Sequence, residues 1–152
     1  MAEPAGTVEL LVTGPKKGEP LAYVPSVRVR AAHGIEGDRY FCAEPYADAT
    51  RDLTLIEAEA LEALQREHGI VLEAREARRN VVTRGISLNP LVGRRFVLGD
   101  VQCIGMKLCE PCAYLESMTH PGLMRGLAHR GGLRAAIVND GTIAVGDDVV
   151  PL

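Results

Sequence analysis

The feature that most constrains this chain is the spacing of its apolar runs: most are too short for a helix, and nearly every one is stopped by Gly, Pro or an Asn/Asp-Gly pair. Thr7 to Thr13 reads as a strand closed by Gly14-Pro15, and Ser26 to Arg30 alternates Val27 and Val29 with polar neighbours, as a half-buried strand does. Further strands are predicted over 81–83, 95–98, 101–108, 133–138 and 142–145, punctuated by Gly85, Asn89-Pro90, Gly93 and Gly99-Asp100. A hairpin turn is expected at Asn139-Asp140-Gly141. Gly93 to Val101 and Gly141 to Val149 echo each other, which suits repeated barrel-corner geometry more than a true repeat. Many short strands without βαβ alternation predict a mainly β fold with minor α, a closed or nearly closed β-barrel. A dinucleotide-binding sheet is disfavoured, because clusters such as Gly131-Gly132 lack the G-x-G-x-x-G spacing.

One substantial helix interrupts this pattern at about 54–68. Thr54 and Glu57 have the spacing of a capping box, and Gly69 supplies the stop. Its inner stripe is predicted as Ile56, Ala60, Leu61 and Leu64, with Glu62 and Arg66 paired on the solvent side. A short helical patch is expected near 113–127. From Ala31 to Ala49, Gly, Asp, Pro and aromatic residues follow no period, which predicts a long functional loop.

Length and composition set the class. A chain of 152 residues, 47% hydrophobic and 24% charged, fits one packed domain spanning 1–152. No apolar run approaches the roughly 20 residues of a membrane span, and Met1-Ala2-Glu3-Pro4 lacks the start of a secretion signal, so the expected address is the cytoplasm. A net charge of -3 argues against nucleic acid as a partner. Among the basic residues all but Lys16, Lys17 and Lys107 are arginine, the side chain that grips phosphate or carboxylate bidentately. Cys42, Cys103, Cys109 and Cys112 are too few for a secreted disulfide scaffold and are expected to be thiols.

The segment Leu108-Cys109-Glu110-Pro111-Cys112 is the candidate reactive centre. It follows an apolar strand, Pro111 stiffens it, and both sulfurs are expected near the surface, where Lys107 and nearby arginines favour the thiolate. Three alternatives stand beside that reading. The cysteines act as small apolar fillers; Cys103, Cys109, Cys112 and His120 bind structural zinc; or the pair is a thioredoxin-like dithiol, for which the βαβ context is missing. Arg78-Arg79-Asn80, with Arg84 and Arg94-Arg95, suits a bound anion, although strand alternation sends only one of each adjacent pair to a given site. A solvated face balanced by Glu73 and Glu76 explains the same run. His33, Asp38 and Arg39 form a polar knot in which Asp38 orients a basic partner or merely caps a turn. His68 suits the last turn of a helix, and His120 and His129 flank the cysteine loop.

Taken in order, G-I-E-G-D-R-Y at 34–40, T-L-I-E-A-E-A-L at 54–61, R-R-N-V-V-T-R-G-I-S-L-N at 78–89, L-V-G-R-R-F at 91–96, L-C-E-P-C-A-Y-L at 108–115, R-G-G-L-R-A at 130–135 and G-T-I-A-V-G-D at 141–147 resemble the MOSC domain, the module similar to the C-terminal part of molybdenum cofactor sulfurases. The resemblance runs from about residue 7 to 152. It implies a β-barrel and a cysteine that carries sulfur as a persulfide or ligates the molybdenum of the pterin cofactor. Cys112 matches that position, with Cys109 an extra thiol beside it. Arg79 and Asn80 match the pair that holds the cofactor phosphate, and Arg39 matches a basic loop residue; Arg134 would assist and Asp38 would orient the loop. Pyridoxal phosphate is not expected, since no preceding domain with its lysine is present. Sulfur would then come from a separate desulfurase, or the protein would be a small molybdenum-dependent reductase of N-hydroxylated compounds. A noncatalytic barrel that recognises a phosphate-bearing ligand is the competing expectation.

Overall fold

In the computed structural model, residues 5–45 and 52–152 are described. They contain strands β1 (Gly6–Thr13), β2 (Ala22–Val24), β3 (Ser26–Arg30), β4 (Gly34–Ile35), β5 (Leu53–Glu57), β6 (Val81–Arg84), β7 (Arg95–Leu98), β8 (Val101–Leu108), β9 (Leu133–Ile137), β10 (Gly141–Ala144) and β11 (Asp148–Pro151). The helices are α1 (Ala58–His68), α2 (Ala74–Ala77), α3 (Ala113–Met118) and α4 (Leu123–Gly126). The chain is mainly β, and seven strands close into a barrel in the order β11-β7-β8-β9-β5-β6-β1, with β1 returning to β11. The pairing of β5 with β6 is parallel, whereas the other pairings between named strands are antiparallel. β2 extends beyond β1, and β10-β3-β4 form a second small sheet.

Period-two alternation divides the core in two. Inside the barrel, Leu55 of β5 and Val81 of β6 join Phe96, Val101, Leu133 and Val149, and the second sheet adds Val29, Ile35 and Ile143. Outside it, Ile56 and Val82 point the other way and meet Leu64, Leu115, Leu123 and Leu127 from the helical layer. β5 and β6 are therefore covered on both faces, which is why their sequences run apolar without alternation.

That double burial overturns the predicted start of the main helix. Leu53–Glu57 is a strand held between β6 and β9, so α1 begins only at Ala58, and Glu57 caps it without a side-chain bond. Thr54 and Glu57 have other partners: the Thr54 hydroxyl bonds Asn80, and the Glu57 carboxylate accepts the Leu88 N–H at 3.2 Å. Ala60 and Leu64 face the core as expected, joined by Ala63, while Ile56 belongs to the outer face of β5. Gly69 ends the helix as predicted. Glu62 pairs with Arg84 at 3.0 Å instead of with Arg66. A true capping box lies at Glu73 and Glu76, heading the unforeseen α2.

The expected hairpin at 139–141 is also absent. β9 pairs with β8 and β5, whereas β10 pairs with β3. Asn139 Oδ1 accepts the Gln102 N–H and Asp140 Oδ1 accepts that of Ala31, so this corner leads the chain from one sheet into the other. The two echoing Gly-Asp corners do abut, with the Gly99 N–H donating to the Asp148 carbonyl at 2.9 Å. The predicted helical patch is α3 and α4. The predicted loop 31–49 contains β4, and its last four residues lie outside the described ones.

Candidate functional site

The arginine run owes its geometry to the end of α2. Arg78 closes that helix in the left-handed region at φ 59, so Arg78 and Arg79 precede β6 and escape its alternation. Both consequently reach one cavity, contrary to the rule expected for adjacent strand residues. Arg79 spreads its guanidinium over main-chain carbonyls, donating to Gly131 at 2.9 Å, Cys109 at 3.2 Å and Ala77 at 3.4 Å. This close approach needs the Gly131-Gly132 pair. A Cβ on Gly131 would strike the Cys109 carbonyl and Pro111, and one on Gly132, at φ 118, would strike the Leu55 carbonyl. Burial lowers the Arg79 pKa, and the neighbouring charges of Arg134 and Arg39 add to the effect. Among the described residues no carboxylate lies within ion-pair distance of Arg79 or Arg134.

Asn80 lies at the cavity wall, but its side chain is already engaged. Its Oδ1 accepts from the Thr54 hydroxyl and N–H at 3.1 and 3.3 Å, and its Nδ2 donates to the Val12 carbonyl at 3.2 Å. It ties β1, β5 and β6 together beneath Arg79. Asp38 and Arg39 form a 3.1 Å ion pair with side-chain exposures of 2% and 4%. Asp38 also accepts the Gly14 N–H, while Arg39 donates to the Arg78 carbonyl and lies 4.7 Å from the Tyr40 ring centroid. Asp38 thus orients Arg39, as one sequence expectation had it. Arg134, opposite Thr54 in the β5–β9 register, completes the basic wall.

The two cysteines part company. Cys112 is exposed at the start of α3, where its Sγ accepts the Leu115 N–H at 3.5 Å. Cys109 is only 2% exposed, and its N–H donates to the Gly132 carbonyl, so the expectation of two surface sulfurs fails. Residues 109–112 form neither turn nor helix. Without a turn, Cα atoms three residues apart can separate by up to roughly 10 Å, and a disulfide spans at most roughly 7 Å. Cys103 lies within the barrel core, where burial pushes its thiol pKa up to about 12. The described residues hold no group of three or more His, Cys, Asp or Glu disposed around a metal ion, so the zinc reading is not supported.

A cavity of about 320 Å³ is the result, with Arg39, Arg78, Arg79 and Arg134 facing Cys112 and the Cys109 segment. Glu110 is at its edge but accepts the His129 N–H at 3.0 Å and lies 3.6 Å from that imidazole. His33 is turned into its own loop, with Nδ1 2.7 Å from the Cys42 carbonyl and its ring stacked on Phe41. The sequence reading missed Thr54, Tyr40 and Tyr114 as wall residues; only the proximity of the arginines, which depends on the fold, marks them. An excess of fixed positive charge around one accessible thiol suits an anionic ligand that also engages soft sulfur.

Comparison with known proteins agrees with this architecture. The chain is similar to the YuaD protein from Bacillus subtilis at 17% identity, with a TM-score of 0.80 over 98% of this chain and 97% of that one. It is also similar to YiiM from Geobacillus stearothermophilus, at 14% identity and a TM-score of 0.69 over 97% of this chain and 75% of that one. For YiiM from Escherichia coli the figures are 15%, 0.67, 96% and 69%. Comparison with curated proteins gave no match. The family description of the MOSC domain matches residues 30–150, a stretch that takes in the arginines, both cysteines of the cavity, five of the seven barrel strands and most of β11, and the chain therefore belongs to the MOSC domain family.

Proposed function

We propose that the arginine-lined cavity binds the anionic molybdenum cofactor and that Cys112 is the thiol through which the protein ligates its metal or carries sulfur to it. The carrying observation is the convergence of Arg39, Arg78, Arg79 and Arg134 on a cavity with an exposed cysteine and a single lining carboxylate, Glu110, which is held by the His129 N–H. The donor set fits such a group: guanidinium forks for a phosphate, and one accessible sulfur for a soft metal. Arg79 and Arg134 hold the phosphate, Arg39 is kept in place by Asp38, and Asn80 fixes the strand ends that set Arg79. Cys109 shapes the cavity floor through its carbonyl. When bound, the cofactor supplies a redox-active molybdenum centre.

As a sulfur carrier, the Cys112 thiolate would attack the terminal sulfur of a donor persulfide, forming the Cys112 persulfide and releasing the donor thiolate. The donor in that case is a separate desulfurase in the cytoplasm. No helix among the described residues is long and apolar enough to cross a membrane.

The test is metal and pterin analysis after expression in a host that makes the cofactor, comparing wild type with Cys112→Ser and Arg79→Ala. Molybdenum and pterin in the wild type, lost in both variants, are the expected outcome. A Cys112→Ser protein that keeps full cofactor content and any sulfur loading would overturn the reading in favour of a binding barrel with an idle thiol.

A further inference from the structure

A second cavity, of about 480 Å³, opens on the other side of Arg78. Pro20 and Leu21 from the β1–β2 connection line it, with Met118 and Thr119 at the end of α3 and Glu73, Arg75 and Glu76 from the start of α2. One of its two carboxylates is ion-paired, and the other is held by a main-chain N–H. Glu73 pairs with Arg75 at 2.8 Å, and Glu76 accepts the Glu73 N–H at 2.9 Å. Arg78 is not neutralised in this way. It has no ion-pair partner among the described residues, and its side chain donates from Nη1 to the Glu19 carbonyl at 2.8 Å. Arg78 also holds a left-handed backbone that a non-glycine residue adopts only at some cost, and this conformation sets it between the two cavities. The floor of the second cavity is apolar, with Leu21 buried and Met118 39% exposed. Four residues before Met118, on the same face of α3, Tyr114 is 62% exposed and lines the cysteine cavity.

We infer that this second cavity is a binding site for a small organic oxyanion, whose charged head rests on Arg78 and whose apolar body packs on Pro20, Leu21 and Met118. Its volume lies within the range of about 300–1,000 Å³ usual for small-molecule sites. The charge pattern favours this class: Glu73 is offset by Arg75 and Glu76 is held on the Glu73 N–H, which leaves Arg78 as the lining cation without an acidic partner, and an apolar molecule would leave that guanidinium desolvated. The site goes beyond the cofactor reading. It gives the molecule room for two ligands at once, a second compound presented at the arginine wall beside Cys112.

Inorganic phosphate and phenyl phosphate are suitable probes, compared by calorimetry and by the ¹³C methyl signal of Met118. Phenyl phosphate is expected to bind roughly tenfold more tightly than inorganic phosphate, the scale of burying part of an aromatic ring. That advantage disappears in Met118→Gln, which removes the apolar contact and leaves inorganic phosphate binding as in the wild type, and in Thr119→Trp, which fills the cavity. The Met118 methyl shifts with phenyl phosphate only. Equal affinities in the wild type, or an advantage that persists in both variants, would place the ring elsewhere and overturn the site. Cys112→Ser removes the thiol on which the cofactor reading rests and leaves the phenyl advantage intact, so the two conclusions fail separately.

Discussion

Arg79 and Lys have the same formal charge, yet the site should distinguish them, because the guanidinium is spread over three carbonyls of different segments. An ammonium offers one point charge and cannot reproduce that planar fork. Arg79→Lys should therefore lose at least tenfold in phosphate affinity, about 1.4 kcal/mol, and approach Arg79→Ala; titration calorimetry of the three proteins checks this. The cysteines support a second expectation at this scale. With no turn over 109–112 and Cys109 buried, mild oxidation by diamide should leave Cys109 reduced, and mass analysis of alkylated peptides should find no Cys109–Cys112 link. A quantitative link would show that the loop rearranges. The sequence made the arginine run and the Cys-x-x-Cys segment visible. It concealed which thiol was accessible, and it concealed that Arg78 and Arg79 share a cavity, because a left-handed residue at a helix end has no signature in the side chain of an arginine.

The element most easily misread is the stretch from Leu53 to His68, strand and then helix, in which Thr54 and Glu57 imitate a capping box. Local spacing argued for helix, and pairing on both edges of β5 with burial of both faces prevailed. Glu57 at this junction has its carboxyl pKa raised above 4.5 by burial, against the lowering effect of the Leu88 N–H. The folded chain therefore holds this proton more tightly than the unfolded chain does. The stability contributed by the group is complete below the ordinary value of 4.5 and is lost as the pH rises through the raised one. Glu57→Gln removes that loss while keeping a side-chain oxygen for Leu88, so its melting temperature should exceed the wild type's at neutral pH and converge with it in acid. A gap that widens in acid would contradict the assignment. Asn80 acts at the same scale by linking three strands. Asn80→Ala leaves the Val12 carbonyl and the Thr54 groups without their partner and should cost about 2–4 kcal/mol, from bonds worth about 1 kcal/mol each plus the desolvation of what remains; urea unfolding measures it.

For the whole molecule, the number of short strands and their tight corners made a barrel legible, whereas the route of the chain around it was not. Closure of β1 on β11, the parallel β5–β6 pair and the departure of β10 to β3 all join residues far apart in sequence, and no local pattern encodes such partners. Closure has a measurable consequence. The β1–β11 seam is short, Gly6 opposite Val149 and Thr7 opposite Asp148, and Val149 is fully buried in the barrel core beside Phe96 and Leu98. Val149→Asp would place a carboxylate there without a partner, a change that costs several kcal/mol in a closed apolar interior. If the barrel is one cooperative unit, opening that seam should release the entire core together. Cys103 reports the event, since it is 0% exposed among the same residues and its thiol is held in the neutral form. In a Cys42→Ser background, Cys112 should react with a thiol reagent in the native state, while Cys103 should react only along the urea transition seen by circular dichroism. Val149→Asp should move both of those transitions to lower urea by the same amount. Exposure of Cys103 ahead of the loss of β signal would show that the seam opens locally, and the barrel would then be two weakly coupled halves.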